Sequence, residues 1–363
     1  MRRALGLARR GLFTTDPNPR VGCVLVRDGR VVGEGWHVRA GEAHAEVNAL
    51  ARAGGDARGA TAYVTLEPCA HHGRTGPCAQ ALIDAGVRRV VAAMEDPNPL
   101  VAGAGLARLR AAGVRVECGL SADAALALNP GFVQRMRLAR PWTRLKLAAS
   151  LDARTALASG ESKWITGPAA RADVHRFRAR SSAVVTGVGT VLADDPALTA
   201  RPTGRRPVLQ PIRVILDPRL RTPPTARVLR EPGATLLIAT PGDTTRRAAL
   251  EAAGAEVVVL DAGPRPEPGA VLTLLAARGV NEVWVECGPT LAGAFLAASV
   301  VDELIVYLAP TLLGDDARAL MRLPPLRSMA ARPRLSFTDV RRFGDDLRIT
   351  ARPAGRIDDG QSL

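Results

Sequence analysis

Three short segments constrain this chain more than any other feature: His44-Ala45-Glu46, Pro68-Cys69 and Pro77-Cys78. One imidazole and two thiolates make three ligands for a zinc ion. The fold must therefore bring distant segments to one point. Three protein ligands leave the fourth tetrahedral position open for water, as a catalytic site needs. Zinc lowers the pKa of such a water toward neutrality. Glu46, two residues from His44, can reach that water without binding the metal and can shuttle a proton. The segments at His44 and Cys78 both read as helix starts, where the dipole and free N–H groups favour thiolate over thiol. The alternative is a closed site with His71 or His72 as fourth ligand, but a closed site has no use for an adjacent glutamate.

A chain of 363 residues is long enough for two domains, each with its own core. The first third alternates strands and helices. Val21–Arg27 and Arg30–Gly35 form a hairpin about Asp28-Gly29. A helix starts near His44 and runs to about Ala53. Strands follow at Thr61–Leu66, Arg88–Ala93 and Val114–Cys118, with helices at Cys78–Ala85 and Ala102–Ala112. This rhythm predicts a layered α/β domain with parallel pairings. Pro141 marks a boundary, giving domains at 1–140 and 141–355 and a tail at 356–363. The second domain is again α/β. Its expected strands are Arg144–Ala148, Ala183–Thr186, Ile212–Leu216, Thr235–Ala239, Glu256–Leu260, Glu282–Glu286 and Glu303–Leu308. Pro/Arg/Gly-rich loops are expected at 201–211 and 263–269.

Hydrophobic residues make up 47% of the chain, which excludes a disordered protein. Aromatics at 3% are too few for a stacking platform on single-stranded nucleic acid. The net charge of +14 is almost all arginine, since Lys146 and Lys163 are the only lysines. The arginines are scattered and form no dense tract, so the charge predicts no nucleic-acid partner, although it suits phosphorylated ligands. No apolar run follows the basic N-terminus, and none approaches a membrane span. Five cysteines, two of them in the metal pattern, argue against a disulfide framework, and a cytoplasmic protein is expected. Cys23, Cys118 and Cys287 lie in or beside apolar strands and read as buried small hydrophobes.

His-x-Glu with Pro-Cys and a second Cys is the pattern of zinc nucleobase deaminases. Here eight residues, Ala-His-His-Gly-Arg-Thr-Gly-Pro, separate Cys69 and Cys78, where two are usual. The long loop resembles that of riboflavin-pathway deaminases. Further segments carry the resemblance: Asp16–Gly22, Gly33–His37, Gly41–Glu46, Thr65–Cys69 and Asp96–Gly105 in the first domain, then Lys146–Asp152, Ser159–Thr166, Val191–Thr199 and Val285–Gly293 in the second. Over nearly its whole length the chain resembles the bifunctional bacterial deaminase–reductase family of riboflavin biosynthesis. The resemblance implies a cytidine-deaminase-like three-layer α/β/α domain followed by a dihydrofolate-reductase-like α/β domain. It also implies homo-oligomers and small phosphorylated pyrimidine substrates.

By position, the resemblance makes His44, Cys69 and Cys78 the ligands of one zinc per chain and Glu46 the proton shuttle. Asn18 and His37 become pyrimidine contacts, and Arg74 faces the substrate phosphate. On its own, Asn18 between two prolines also reads as a turn residue. In the second domain, NADPH would be lined by Ala148, Trp164, Thr190, Asp194 and the run Gly288, Pro289, Thr290, Leu291, Ala292, Gly293, Ala294. Ser162, Arg178, Leu198, Arg201 and Glu286 would hold the substrate, the two arginines on its phosphate. Lys146 is either a ring or ribose contact or a solvated lysine, and Trp164 either flanks the nicotinamide or fills core.

Val184–Thr190 and Glu286–Gly293 each run from a strand through glycines into a helix, as a phosphate cradle or as a plain tight turn. Three departures from the family pattern stand out: Ala153 and Gly76 replace the usual Gly and Pro, and the N-terminus is short. Where the backbone needs a positive φ, Ala153 is strained. The implied chemistry is hydrolytic deamination followed by NADPH-dependent reduction of ribosyl to ribityl. Its rivals are a nucleic-acid deaminase, a zinc-stapled RNA-binding protein, and a chain with one active domain.

Overall fold

The computed structural model describes residues 1–70, 76–99, 101–204, 207–261 and 263–354. Arg74, His71 and His72 lie outside the described residues, as does the expected tail at 356–363. The chain divides into two compact units, Met1–Arg140 with Pro207–Leu209, and Pro141–Arg206 with Gln210–Leu363.

In the first unit the elements run α1 (Arg2–Ala8), β1 (Gly22–Arg27), β2 (Arg30–Trp36), α2 (Ala45–Ala53), β3 (Thr61–Val64), α3 (Cys78–Asp84), β4 (Arg89–Ala92), α4 (Ala104–Ala111), β5 (Arg115–Cys118), α5 (Ala122–Leu128) and α6 (Pro130–Leu138). The sheet order is β2-β1-β3-β4-β5. Pairing is parallel across β3-β4-β5 and antiparallel for β1 with β2, as the expected hairpin requires, and β1 is also antiparallel to β3. Alternation along the strands builds the layers, because successive side chains point to opposite faces. Cys23, Leu25, Ala62, Val64, Val90 and Ala92 pack with Ala45, Ala49, Leu82 and Leu106 of α2, α3 and α4. Val24 packs with α1, and Ala93 with Leu5 and Leu128 of α1 and α5. The result is the expected three-layer sandwich.

The second unit runs β6 (Trp142–Ser150), β7 (Arg154–Ala156), α7 (Pro168–Arg180), β8 (Ala183–Gly187), α8 (Val188–Asp194), β9 (Ile212–Leu216), α9 (Arg227–Arg230), β10 (Thr235–Ala239), α10 (Thr244–Ala252), β11 (Glu256–Val259), α11 (Pro268–Ala277), β12 (Glu282–Glu286), α12 (Pro289–Ala297), β13 (Glu303–Ala309), β14 (Arg318–Ala319), β15 (Leu335–Phe343) and β16 (Asp346–Pro353). Nine strands form one sheet in the order β11-β10-β9-β8-β12-β6-β13-β16-β15, and β7 pairs with β14. One face packs on α11 and α12 through Leu145, Val185, Val283, Leu275 and Phe295. The other packs on α7, α8 and α10 through Val184, Ile215, Trp284, Val174 and Leu250. Every strand expected in this unit forms. Four more do not follow from the sequence reading: β7, β14, β15 and β16. α11 begins at Pro268, inside a stretch expected to be loop, because proline suits the first helical turn.

Ala153 adopts φ +59°, the left-handed region that favours glycine. Replacing Ala153 by Gly is therefore expected to stabilise the second unit by up to about 1 kcal/mol, the steric cost of that conformation offset by glycine's larger chain entropy. A denaturant titration followed in the second unit checks it; a loss of stability would show that the turn carries no strain.

Candidate active sites

Two of the three metal-pattern residues open helices. His44 is the N-cap of α2 and Cys78 is the first residue of α3. Cys69 sits in irregular chain after β3, between the expected strand and the expected helix at Cys78. Its backbone is instead held by α3: Ala79 N–H donates to Cys69 O at 3.1 Å, and Cys78 N–H donates to Cys69 Sγ at 3.3 Å.

These folds converge. His44 Nδ1 stands 3.6 Å from Cys69 Sγ and 3.3 Å from Cys78 Sγ, and the three ligand atoms lie within 4.8 Å of one another. Around a tetrahedral zinc, nitrogen at about 2.0 Å and sulfur at about 2.3 Å stand about 3.5 Å apart. The residues present therefore fit zinc. The Cys78 thiol, His44 and the Cys78 N–H all donate to Cys69 and pull its pKa down, and Cys78 is correspondingly pushed up. A cation would replace that shared proton.

Glu46 lies in the first turn of α2 and is 3% exposed. Burial raises its carboxyl to about 7, the His44 charge opposing. Asn18 and His37, expected to share a site, do meet: Asn18 Nδ2 lies 3.0 Å from His37 Nε2. His37 Nδ1 lies 3.1 Å from the Ala43 carbonyl, so Nδ1 carries the proton and Nε2 accepts from the Asn18 amide. Burial holds His37 below its ordinary pKa, in keeping with a neutral ring. The His37 and His44 rings stand edge to face at 5.2 Å, which puts the Asn18–His37 pair beside the metal ligands.

In the second unit, β8, β12 and β6 are neighbours, and their carboxyl ends carry most of the expected residues. Glu286 is in register with Lys146. Arg178, in the last turn of α7, donates from Nε and NH2 to the two Glu286 oxygens at 2.5 and 2.8 Å, and from NH1 to Thr199 O at 3.2 Å. Trp284 Nε1–H donates to Glu286 at 2.7 Å. Burial alone would raise Glu286; the Arg178 charge and bonds, with Lys146, bring it down to about 2. Lys146 is half-buried, not a solvated lysine, and burial lowers its pKa against the pull of Glu286. Leu198, buried at φ +52°, precedes the carbonyl that Arg178 holds. Arg201 N–H donates to His175 Nδ1 at 3.2 Å. His175, Trp284 and Thr199 thus brace this cluster without having been singled out. The available signal was spacing, because His175 and Arg178 are three apart on one helix face.

α8 and α12 start directly beyond β8 and β12, side by side in the sheet. Gly288 is the N-cap of α12, and a Cβ built on Gly189 or Gly288 would meet nothing within 4 Å. Two adjacent helix N-termini with bare glycines suit the phosphates of a dinucleotide. Thr190 and Asp194 lie on α8, and Ala148 lies two residues along β6 from Lys146. Trp164 is 71% exposed, so it fills no core, and Arg171 stacks on it at 4.5 Å. Lys163 Nζ lies 3.8 Å from Asp194, which ties the Ser162–Trp164 segment to the end of α8.

The remaining cysteines divide. Cys23 is buried as expected, but Cys118 is exposed, because β5 is the sheet edge. Cys287 is half-buried, with burial and Glu286 pushing its thiol up to about 12.

The comparisons with known proteins agree with this geometry. Residues 1–94 match the cytidine and deoxycytidylate deaminase zinc-binding region, and residues 141–349 match the RibD C-terminal domain. The riboflavin biosynthesis protein RibD of Escherichia coli is 53% identical over 96% of both chains. The chain belongs to the RibD family. The RibD structure from Acinetobacter baumannii superposes with a TM-score of 0.91 at 47% identity, covering 97% of each chain. A diaminohydroxyphosphoribosylaminopyrimidine deaminase/5-amino-6-(5-phosphoribosylamino)uracil reductase from Thermotoga maritima gives 0.87 at 33% identity over 97% of each. The family, the two linked activities and the deaminase-plus-reductase fold expected from the sequence all stand. Among the described residues no helix is long and apolar enough to cross a membrane.

Proposed function

We propose that residues 1–140 hydrolytically deaminate 2,5-diamino-6-(5-phosphoribosylamino)pyrimidin-4-one, and that residues 141–355 then reduce the ribosyl side chain to ribityl with NADPH. The convergence of His44, Cys69 and Cys78 beside the buried Glu46, in a RibD-family chain, carries the reading. Zinc supplies a water acidic enough to attack the ring carbon bearing the amine. Glu46 accepts the proton released there and returns it to the departing ammonia. The neutral His37 and the Asn18 amide bind the pyrimidine edge, with Arg74 on the phosphate.

In the reductase, NADPH supplies hydride. Arg178 and Arg201 hold the substrate phosphate, with Ser162, Leu198 and Glu286 around it. Lys146 contacts the ring or ribose. Ala148, Trp164, Thr190, Asp194 and the residues from Gly288 to Ala294 line the cofactor, Trp164 beside the nicotinamide. Orientation of donor and acceptor is what this step needs most. The protein acts in the cytoplasm on small molecules and not on nucleic acid. A homo-oligomer is supported by the edge strand β15, which leaves Phe337 73% exposed.

The zinc-loaded protein, given the diaminopyrimidinone and NADPH, is expected to release ammonia and oxidise NADPH in sequence. Removing the metal with a chelator is expected to abolish ammonia release and to leave NADPH oxidation on the deaminated pyrimidine intact. No ammonia from protein of confirmed zinc content would sink the assignment and favour a nucleic-acid substrate.

A further inference from the structure

Cys69 is the metal-pattern residue that lies in neither a helix nor a strand, and its neighbours are gripped from a direction the catalytic chemistry does not explain. Glu67, two residues earlier, is 3% exposed. Its carboxylate accepts four backbone N–H groups: Gly105 at 2.8 Å and Leu106 at 3.2 Å on Oε1, Gly103 at 3.0 Å and Asp96 at 3.1 Å on Oε2. Three of these belong to the start of α4, which has no side-chain cap of its own. A carboxylate there satisfies orphan donors and sits favourably in the helix field. Gly105 lies against the next residue: a Cβ built on it would overlap the Pro68 carbonyl oxygen. On the far side of Cys69, Arg108 NH1 donates to Ala70 O at 3.2 Å. α4 therefore touches the residues on both sides of Cys69, while α3 holds Cys69 itself.

We infer that α4, together with Asp96 and Gly103 of the segment before it, forms a brace that sets the position of Cys69 for the metal, with Glu67 and Gly105 as positioning residues. This segment stood out in the sequence, yet no catalytic role uses it. The inference rests on zinc being held by His44, Cys69 and Cys78. Outer partners of metal ligands matter because they fix ligand geometry, and their loss typically costs about 10–100-fold in metal affinity.

The test uses the full-length protein with Gly105→Ala, Glu67→Gln and Leu109→Ala. Gly105→Ala pushes on the Pro68 carbonyl. Glu67→Gln keeps the shape but turns an N–H₂ toward the N–H donors. Leu109, fully buried in the core on α4, takes part in none of the contacts named above and serves as the stability control. Zinc affinity is measured by chelator competition, and cobalt is substituted to read the visible absorption of tetrahedral thiolate-bound Co(II). Gly105→Ala and Glu67→Gln are expected to lower zinc affinity about 10–100-fold and to change the cobalt bands. Leu109→Ala is expected to lower thermal stability with affinity and bands intact. NADPH oxidation on the deaminated pyrimidine stays at the wild-type level in all three and reports that the remainder of the chain is folded. Should Gly105→Ala fail to yield folded protein, Glu67→Gln decides alone. Wild-type affinity and cobalt bands in Glu67→Gln, or losses no larger than those of Leu109→Ala, would overturn the brace. Failure of the underlying reading looks different: Cys69→Ala would then bind zinc as tightly as the wild type.

Discussion

Glu46→Gln is expected to lower ammonia release by about 100- to 10,000-fold, the usual contribution of a positioned general acid–base. Zinc content and NADPH oxidation on the deaminated pyrimidine are expected to stay unchanged. The geometry separates these effects. Glu46 shares the first turn of α2 with the His44 cap but is not one of the three ligands His44, Cys69 and Cys78. Glutamine fills the same buried space and keeps one hydrogen-bonding oxygen. It has no carboxylate to take up a proton, so binding survives and the proton relay does not. Measuring ammonia release and metal content on one preparation decides the matter. A variant that keeps full zinc and loses less than tenfold in rate would remove Glu46 from the relay and leave the buried carboxylate without a catalytic role.

The parts of this molecule that were legible in the sequence share one property: their signal is local. His44-Ala-Glu46 and the two Pro-Cys pairs each carry their chemistry within two or three residues. The strands β8, β9, β10 and β12 are short apolar runs bounded by turn residues, buried on both faces, and their ends were expected within a residue of where they fall. Strands β15 and β16 lack that signal. Leu335–Phe343 is exposed along almost its whole length, so it shows no core face to alternate against. Beside its pairing with β13 and β15, β16 is held by ionic contacts, one of them remote: Arg348 donates to Asp173 of α7 and to Asp339, each at 2.7 Å. No window of sequence joins residues 173 and 348. Glu67 was hidden for the same reason, because its four donors lie about thirty or more residues downstream. Cys118 was misjudged because an apolar strand looks the same at a sheet edge as at its centre, and only the strand order tells them apart.

A second buried charge cluster makes the largest stability prediction. Arg144→Met is expected to destabilise the second unit by about 3–5 kcal/mol, the cost of breaking a buried ion pair by removing one partner. Arg144 is 3% exposed and Glu282 is 1% exposed. Arg144 NH1 donates to Glu282, and its Nε donates to Glu303 at 2.6 Å. Glu282 and Glu303 begin β12 and β13, and Arg144 is the third residue of β6, where the register sets Glu303 opposite it. Arg180 remains 3.2 Å from Glu282 and Arg352 3.2 Å from Glu303, so each carboxylate keeps a cation beside it while the most buried one is lost. Adding Glu282→Gln to Arg144→Met should recover a substantial part of the loss, because one fewer buried carboxylate charge is then left near the missing guanidinium. Denaturant titrations of the single and double variants measure both quantities. A loss below about 1 kcal/mol in Arg144→Met would mean that the cluster's attraction only balances its desolvation. The same variants separate stability from chemistry. Lys146 and Glu286 lie farther along β6 and β12, so hydride transfer by the protein that remains folded is expected to keep its wild-type rate, with ammonia release untouched. A fall in that rate at full folding would show instead that the ionic cluster sets the register that brings Lys146 to Glu286.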